Sequence, residues 1–285
     1  MNSQIIAIAG YTGFIAGELI KNLKEYNIIK LKRDDFFLKS EQLATKIKDA
    51  DVVINLTGSP IIKRWTNANK MKIYNSRIKT TSKLVHAISL LGKDIHFINA
   101  SAIGIYSEHG IHNEESKSYS KGFIYEVVMN WEREAMKLPR SINNVTIVRI
   151  GLVLAKEAGL LKKLNPVFKL CLGGKIGSGK QWMSFIHIED LISSIKFIIQ
   201  TRMVGIVNLA TPNFVTNKEF TGILARLLKL PAFIPIPVLL LKLLYGEGAR
   251  IIFASHRVLP EKLMNNGFIF KYPDIYSALK NLTVH

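Results

Sequence analysis

Residues 10–17 read Gly-Tyr-Thr-Gly-Phe-Ile-Ala-Gly, and their spacing fits a loop that cradles a pyrophosphate. The apolar run Ile5–Ala9 precedes Gly10 and a helical pattern opens at Phe14, so the loop joins a strand to a helix N-terminus. Gly10 permits the tight turn, Gly13 lets the backbone approach phosphate oxygens, and the helix end favours an anion. The third position of such a loop needs a small side chain for helix–strand packing; here it is Ala16, with Gly17 beside it. An acidic residue about 20 residues on takes a ribose hydroxyl in NAD sites. The next apolar run instead ends Leu31-Lys32-Arg33, and a guanidinium suits a 2′-phosphate. Arg33 favours NADP(H) over NAD(H), although Asp34 and Asp35 follow directly and a slip of one residue reverses the inference.

Two further clusters look chemical and are set aside. Gly174–Lys180 resembles a phosphate-binding P-loop, but Gln181 stands where a Ser or Thr would hold magnesium, and no strand–loop–helix pattern surrounds it. His109 and His112, with Glu108, Glu114 and Glu115, lie in a polar loop without a closed ligand set, so no metal is expected. Cys171 is the only cysteine, so no intramolecular disulfide forms and a reducing, cytoplasmic setting is expected. Its apolar neighbours Leu170 and Leu172 predict a buried, inert thiol.

The elements that carry these residues alternate. Apolar runs at Ile5–Ala9, Ile28–Leu31, Asp51–Leu56, Ile95–Ala100 and Val145–Ile150 read as strands. Helical spacing over Phe14–Tyr26, 40–49, 66–91 and Tyr119–Leu138 fills the gaps, the last pattern stopping at Pro139. This predicts an α/β, Rossmann-type, doubly wound parallel sheet. After Gly151 the rhythm changes: 155–184 is rich in Gly and Lys with little strand pattern, 188–200 is helical, and Gly205–Leu209 returns as a strand. Thr216 and Glu219 form a capping box before another helix. The expected domains are a nucleotide domain over 1–154, to which 185–210 returns, and a small C-terminal substrate domain from 155–184 and 211–285.

The chain has 285 residues and is 48% apolar, enough for a packed core. Its net charge of +18 would suit nucleic acid or an anionic surface. The lysines are scattered and no nucleic-acid motif accompanies them, so a compositional bias is the favoured reading and no nucleic acid is expected. No membrane span and no signal peptide are expected; the apolar stretch from Pro231 to Leu241 is too short and holds three prolines. A homo-oligomer is left open.

The blocks GYTGFIAGEL, INLTGSPI, RWT, NSR, SAIGIY, RIGLVL, GSGKQWMSFIHIEDL, VNLATP, RVLPEKL and GFIFKYPD follow in order along nearly the whole chain. Together they resemble the epimerase-like family of atypical short-chain dehydrogenase/reductases, bacterial members of which carry the label NAD-dependent epimerase/dehydratase and sometimes cell division inhibitor. The resemblance implies that Gly10, Thr12, Gly13, Phe14 and Ile15 line the pyrophosphate and that Arg33 meets the adenosine phosphate. It implies that Leu56, Thr57 and Gly58 flank the adenosine and ribose, and that Ala100 and Ser101 approach the nicotinamide. Trp65, Gln181, Trp182 and His187 would face the cleft; Arg77 and Arg149 could neutralise a phosphate or carboxylate, as of the substrate, or simply pair structurally.

Reductases of the wider superfamily use a tyrosine as proton donor, with a lysine four residues later lowering its pKa and a serine polarising the carbonyl. Ser101 fits the serine role. The helix that should carry the pair reads Tyr119 to Met129, where Tyr125 is followed four residues on by Met129 and Tyr119 by Phe123. Anchored on Trp131-Glu132, the tyrosine position falls near Ile124 and the lysine position near Val128. Tyr106, close to the cofactor by position, and His187 are the remaining candidates for proton transfer, each with a structural reading as a packing tyrosine or a hydrogen-bonded histidine. Asp190 reads as structural. The expectation is an NADP(H)-binding oxidoreductase or epimerase-like enzyme acting on a small molecule; the alternative is a cofactor-binding regulatory or redox-sensing protein without turnover.

Overall fold

In the computed structural model, which describes residues 4–139 and 143–283, ten strands and eleven α-helices follow one another. The first half runs β1 (Ile5–Ala9), α1 (Phe14–Asn22), β2 (Asn27–Leu31), α2 (Ser40–Ile47), β3 (Val52–Asn55), α3 (Asn67–Leu91), β4 (Ile95–Ala102), α4 (Phe123–Ala135) and β5 (Asn143–Ile150). The second runs β6 (Leu152–Ala155), α5 (Gly159–Lys169), β7 (Trp182–Met183), β8 (Phe185–His187), α6 (Ile188–Thr201), β9 (Gly205–Leu209) and β10 (Val215–Thr216). It closes with α7 (Asn217–Leu228), α8 (Val238–Tyr245), α9 (Arg250–Phe253), α10 (Glu261–Asn265) and α11 (Ile275–Thr283).

Six strands form one parallel sheet in the order β2-β1-β3-β4-β5-β9. Alternation along β1 sorts its side chains between two layers. Ile6 and Ile8 join Leu19 of α1 and Ile195 of α6 in one apolar cluster. Ala7 and Ala9 join Leu43 of α2 and Leu84 of α3 in the other. Helices therefore cover both faces, which explains why these strands read as continuous apolar runs. β2 and β3 lie on opposite sides of β1, so the chain reverses direction across the sheet there. Open α/β sheets bind ligands in the crevice at such a reversal, beyond the carboxyl ends of the strands.

A separate apolar cluster gathers Leu154, Leu161, Phe168, Phe185, Phe220, Leu224 and residues of α11. β6 pairs with β8, and β7 with β10, in two small sheets. The capping box at the start of α7 is present: Glu219 N donates to Thr216 Oγ1 and Thr216 N to Glu219 Oε2 (2.7 Å).

Several local readings differ from the structure. α4 begins at Phe123 rather than Tyr119, because Gly122 at φ +90° turns the chain into the helix. The stretch 155–184 contains a helix, α5, whose Gly159 start and internal Pro166 mask its pattern. Cys171 is exposed, not buried: it occupies a left-handed turn (φ +57°) that ends α5, and Leu170 and Leu172 beside it are exposed too. Among the described residues no helix is long and apolar enough to cross a membrane.

Candidate functional site

The crevice is built from three strand ends that lie in register. Ala9 pairs with both Leu31 and Asn55, and Asn55 with Asn99, so the chain leaves β1, β2 and β3 at one edge while β4 runs on beside them to Ala102. Gly10 sits there at φ +81°, and a Cβ on it would lie 2.9 Å from the Leu56 carbonyl carbon. Only glycine keeps β1 and the β3 exit this close. Gly13 N donates to Gly10 O (2.9 Å), and Gly13 is the extended N-cap of α1 with no side-chain cap. The first-turn N–H groups of α1 therefore have no helical acceptor and no competing acid, which leaves them for an anion. Thr12, Gly13 and Phe14 are exposed and Ile15 is half-buried. Ala16 is buried in the core, whereas a Cβ on Gly17 would meet nothing within 4 Å, so the packing requirement falls on position 16.

At the end of β2, Lys32 and Arg33 are exposed. Asp35 is buried and already engaged, accepting from Lys32 N (2.7 Å) and from Lys46 Nζ. Asp34 is exposed beside Arg33.

Asn55 shapes the turn that follows β3. Its Oδ1 accepts from Thr57 Oγ1 (2.6 Å), and its Nδ2 donates to Asn99 Oδ1 (2.7 Å) and Thr81 Oγ1 (2.8 Å). Trp131 Nε1 donates to the same Thr81 hydroxyl (2.9 Å). This buried network ties β3, β4, α3 and α4 together directly beneath Leu56-Thr57-Gly58. Sequence reasoning missed it; the signal was an asparagine closing each of two apolar strands, Val-Val-Ile-Asn55 and Phe-Ile-Asn99.

Arg77, on α3, reaches that turn: a Cβ on Gly58 would come within 2.9 Å of its Nη2. Its Nη1 donates to the carbonyls of Ser59 (3.2 Å) and Ile73 (3.1 Å), and its guanidinium lies 5.1 Å from the Trp131 ring centroid. Burial lowers its pKa to about 10, and among the described residues no carboxylate pairs with it. A half-buried cation without an acidic partner is suited to a phosphate or carboxylate.

β4 continues past the notional strand end to Ala102, so Ala100 and Ser101 are both buried. Ser101 Oγ donates to Glu132 of α4, and Glu132 accepts from Arg149 of β5 through Nε (2.8 Å) and Nη2 (2.7 Å). Burial pulls the Arg149 pKa down, but the bonded Glu132 carboxylate outweighs it and the net shift is upward. Ile124 and Val128, the positions aligned with the tyrosine and lysine, belong to an apolar cluster with Ile103, Ile105 and Val258.

Other predicted residues fall elsewhere. Tyr106 is fully buried, its hydroxyl donates to Asn208 Oδ1 (2.9 Å), and its ring lies between the His112 ring and the Arg149 guanidinium. Burial raises its pKa, the reverse of what a proton donor needs. His187 is equally buried: Nδ1 accepts from Glu189 N (3.1 Å), Nε2 meets Asn281 Oδ1 (3.1 Å), and the ring packs on Tyr272. Burial lowers its pKa to about 4. Tyr106 thus packs under the ends of β5 and β9 with its hydroxyl engaged, and both ring nitrogens of His187 have partners. Asp190 accepts from the backbone N–H groups of Lys271 (2.8 Å) and Tyr272 (2.9 Å), a structural clamp.

Trp65 Nε1 donates to Ile61 O (3.0 Å) and its ring packs on Phe123 and beneath Gly248. The loop after β3 thus touches the turn that follows α8. Trp182 packs edge-on against Phe214 with Arg257 over its ring, and Gln181 Nε2 donates to Ile176 O (3.2 Å). In the polar loop, Glu114 accepts from Asn208 N (2.9 Å) and His112 Nε2 lies 3.1 Å from Ser107 O, so both serve the packing of that loop.

A reversed parallel sheet with a glycine loop at the reversal defines a Rossmann-type nucleotide-binding protein. The chain belongs to the NAD dependent epimerase/dehydratase family, whose model matches residues 6–210. A second model, a domain of unknown function (DUF1731), matches residues 236–282. The chain is 33% identical to the chloroplastic epimerase family protein SDR39U1 homolog of Arabidopsis thaliana, covering 98% of this chain and 86% of that one. It is 33% identical to an epimerase family protein of Staphylococcus saprophyticus, covering 96% and 98%. Its structure is similar to that of human epimerase family protein SDR39U1 (isoform 2) with NADPH: TM-score 0.90, 26% identity, 98% of this chain and 99% of that one.

Proposed function

We propose that this chain is an NADP(H)-dependent oxidoreductase or epimerase-like enzyme acting on a small molecule. The observation that carries the reading is the convergence of the Gly10 loop, the Leu56–Gly58 turn and the Ala100–Ser101 strand end on one edge of the sheet. The tight turn that Gly10 allows against Leu56, and the free first turn of α1 that follows it, fit a pyrophosphate. Lys32 and Arg33 fit a 2′-phosphate, with Asp35 already occupied by Lys46. The human protein's structure with NADPH supports the same preference.

When bound, NADP(H) supplies or accepts the hydride. Thr12, Gly13, Phe14 and Ile15 hold the phosphates, Leu56, Thr57 and Gly58 flank the adenosine side, and Ala100 and Ser101 border the nicotinamide side. Ser101 orients rather than protonates, because its hydroxyl hydrogen points at Glu132, which Arg149 keeps in place. Tyr106 and His187 have their polar atoms engaged in the core, so the proton comes from water in the crevice. Arg77 takes an anionic group of the substrate, and Trp65, Gln181 and Trp182 line its approach. The apolar cluster with Leu154, Phe168 and Phe220 is the body of the small substrate domain.

A second reading is a cofactor-binding regulator without turnover, favoured by the apolar surroundings of Ile124 and Val128. Incubation of the protein with NADPH carrying deuterium at nicotinamide C4, in a pool of cellular metabolites, separates the two. Appearance of deuterium in a metabolite supports the enzyme; retention of all label on the cofactor, with NADPH still bound tightly, supports the regulator.

A further inference from the structure

Helix α8 is six-eighths aliphatic, yet none of its side chains is buried. Leu239 is 70% exposed and Leu243 65%, four residues apart on one face. Just before the helix Phe233 is 89% exposed, and at the end of α5 Leu170 is 70% exposed. The backbone joins these pieces into one surface. Ile236 N donates to Lys175 O (2.8 Å) and Gly177 N to Ile236 O (2.9 Å). Gly174 lies so close to the Ile234 carbonyl that a Cβ would fall 1.7 Å from its oxygen, and a Cβ on Gly177 would meet Val238 Cγ2 at 2.9 Å.

The stretches of chain that carry this surface are basic. Residues 158–188 hold five lysines and residues 220–246 hold Arg226, Lys229 and Lys242, with no Asp or Glu in either stretch. Of the bordering acids, Glu189 pairs with Lys271, Glu247 with Lys70 and Glu219 closes its capping box, while Glu157 is exposed just before α5. A second copy seated by a two-fold axis would set this face, and its cations, against themselves. Exposed leucines and a phenylalanine among long cationic side chains instead match a bilayer interface. There the apolar tips enter the acyl boundary and lysines reach the headgroup phosphates. Fluid acyl chains also accept side chains projecting from three separate backbone pieces with no matching shape required.

We propose that the face formed by α8, Phe233–Ile234 and Leu170–Leu172 seats the protein on an anionic membrane surface. The proposal stands independently of the reaction assigned to the crevice. The test is co-sedimentation of the full chain, with NADPH present, with vesicles of phosphatidylcholine alone and of equal parts phosphatidylcholine and phosphatidylglycerol. Expected is binding to the mixed vesicles, weaker binding to phosphatidylcholine, and a decline with added salt. The double variant Phe233→Asp/Leu239→Asp should lower binding to mixed vesicles about tenfold or more, while its melting temperature and NADPH affinity stay as in the parent. Failure to bind mixed vesicles at low salt overturns the proposal. So does equal binding by the double variant, which would leave only the overall positive charge at work. A dimer in sedimentation equilibrium that the same substitutions dissociate would instead assign the face to a second copy.

Discussion

Replacing Glu132 by glutamine tests the buried support beneath the strand end. Glu132 and Arg149 are 9% and 2% exposed at the side chain, bonded at 2.7 and 2.8 Å in a bidentate pair. Glu132→Gln keeps the shape and the acceptor for Ser101 but leaves the guanidinium buried without a counter-charge. Breaking such a pair from one side costs about 3–5 kcal/mol. A chain of this size loses roughly 2–4 °C of melting temperature per kcal/mol, so the expected fall is about 6–20 °C. Adding Arg149→Met removes the orphaned charge while its stem still fills the space over Tyr106. The double variant should therefore lose less than the sum of the single losses, with a coupling energy of about 1 kcal/mol or more. Calorimetry on the four proteins of the cycle measures this, and NADPH titration beside it reports whether the crevice survives. A loss below about 1 kcal/mol for Glu132→Gln, or strictly additive losses, would refute the claim that the pair is a dry, mutually dependent unit.

Gly10→Ala places a side chain at φ +81° and against the Leu56 carbonyl, so NADPH affinity should fall about tenfold or more together with about 1–2 kcal/mol of stability; a folded variant that titrates like the parent would remove the loop from the site. Arg33→Ser should weaken NADPH binding about tenfold, the scale of one charge-assisted hydrogen bond, and leave NADH binding unchanged; equal affinity of the parent for the two cofactors sinks the preference. His187 is held neutral in the fold with its pKa lowered to about 4, while the unfolded chain protonates near 6.5. Between those values the unfolded state binds the extra proton, so stability drops as pH falls, by up to about 1.4 kcal/mol per pH unit for this group. Glu114 and Asp190, whose pKa values burial raises, act in the opposite sense. The comparison is therefore with His187→Gln, whose stability should change less steeply from pH 6.5 to 4; parallel profiles would mean that the imidazole titrates freely in the fold.

The glycine loop was legible because its requirements are local. A glycine at a positive φ, a small residue one turn into a helix and an apolar run before both are written within a dozen residues, and Gly10, Ala16 and β1 match that pattern. Thr216 and Glu219 were legible for the same reason. Boundaries were harder where the deciding atom is distant or ambiguous. α5 was masked by Gly159 and Pro166, and Cys171 was misjudged because an apolar neighbourhood in sequence became an exposed turn in space. The Asn55–Asn99 network depends on the register of β3 against β4, which no single stretch of sequence specifies.

Proton chemistry is the extreme case of that dependence. Tyr106 and His187 are the right residue types, but Asn208 in β9 and Asn281 in α11 engage their polar atoms from about a hundred residues away. Ser101, proposed to border the nicotinamide, is constrained in the same way. Ser101 is next to Ala100 at the strand end, yet its hydrogen is directed inward to Glu132, and the Arg149 clamp keeps that carboxylate from turning outward. The side chain therefore offers lone pairs, not a proton, to anything in the crevice. On the proposed reading, a carbonyl or alcohol bound there exchanges its proton through water. The pH dependence of turnover should accordingly follow the substrate and Arg77 rather than a tyrosine–lysine pair.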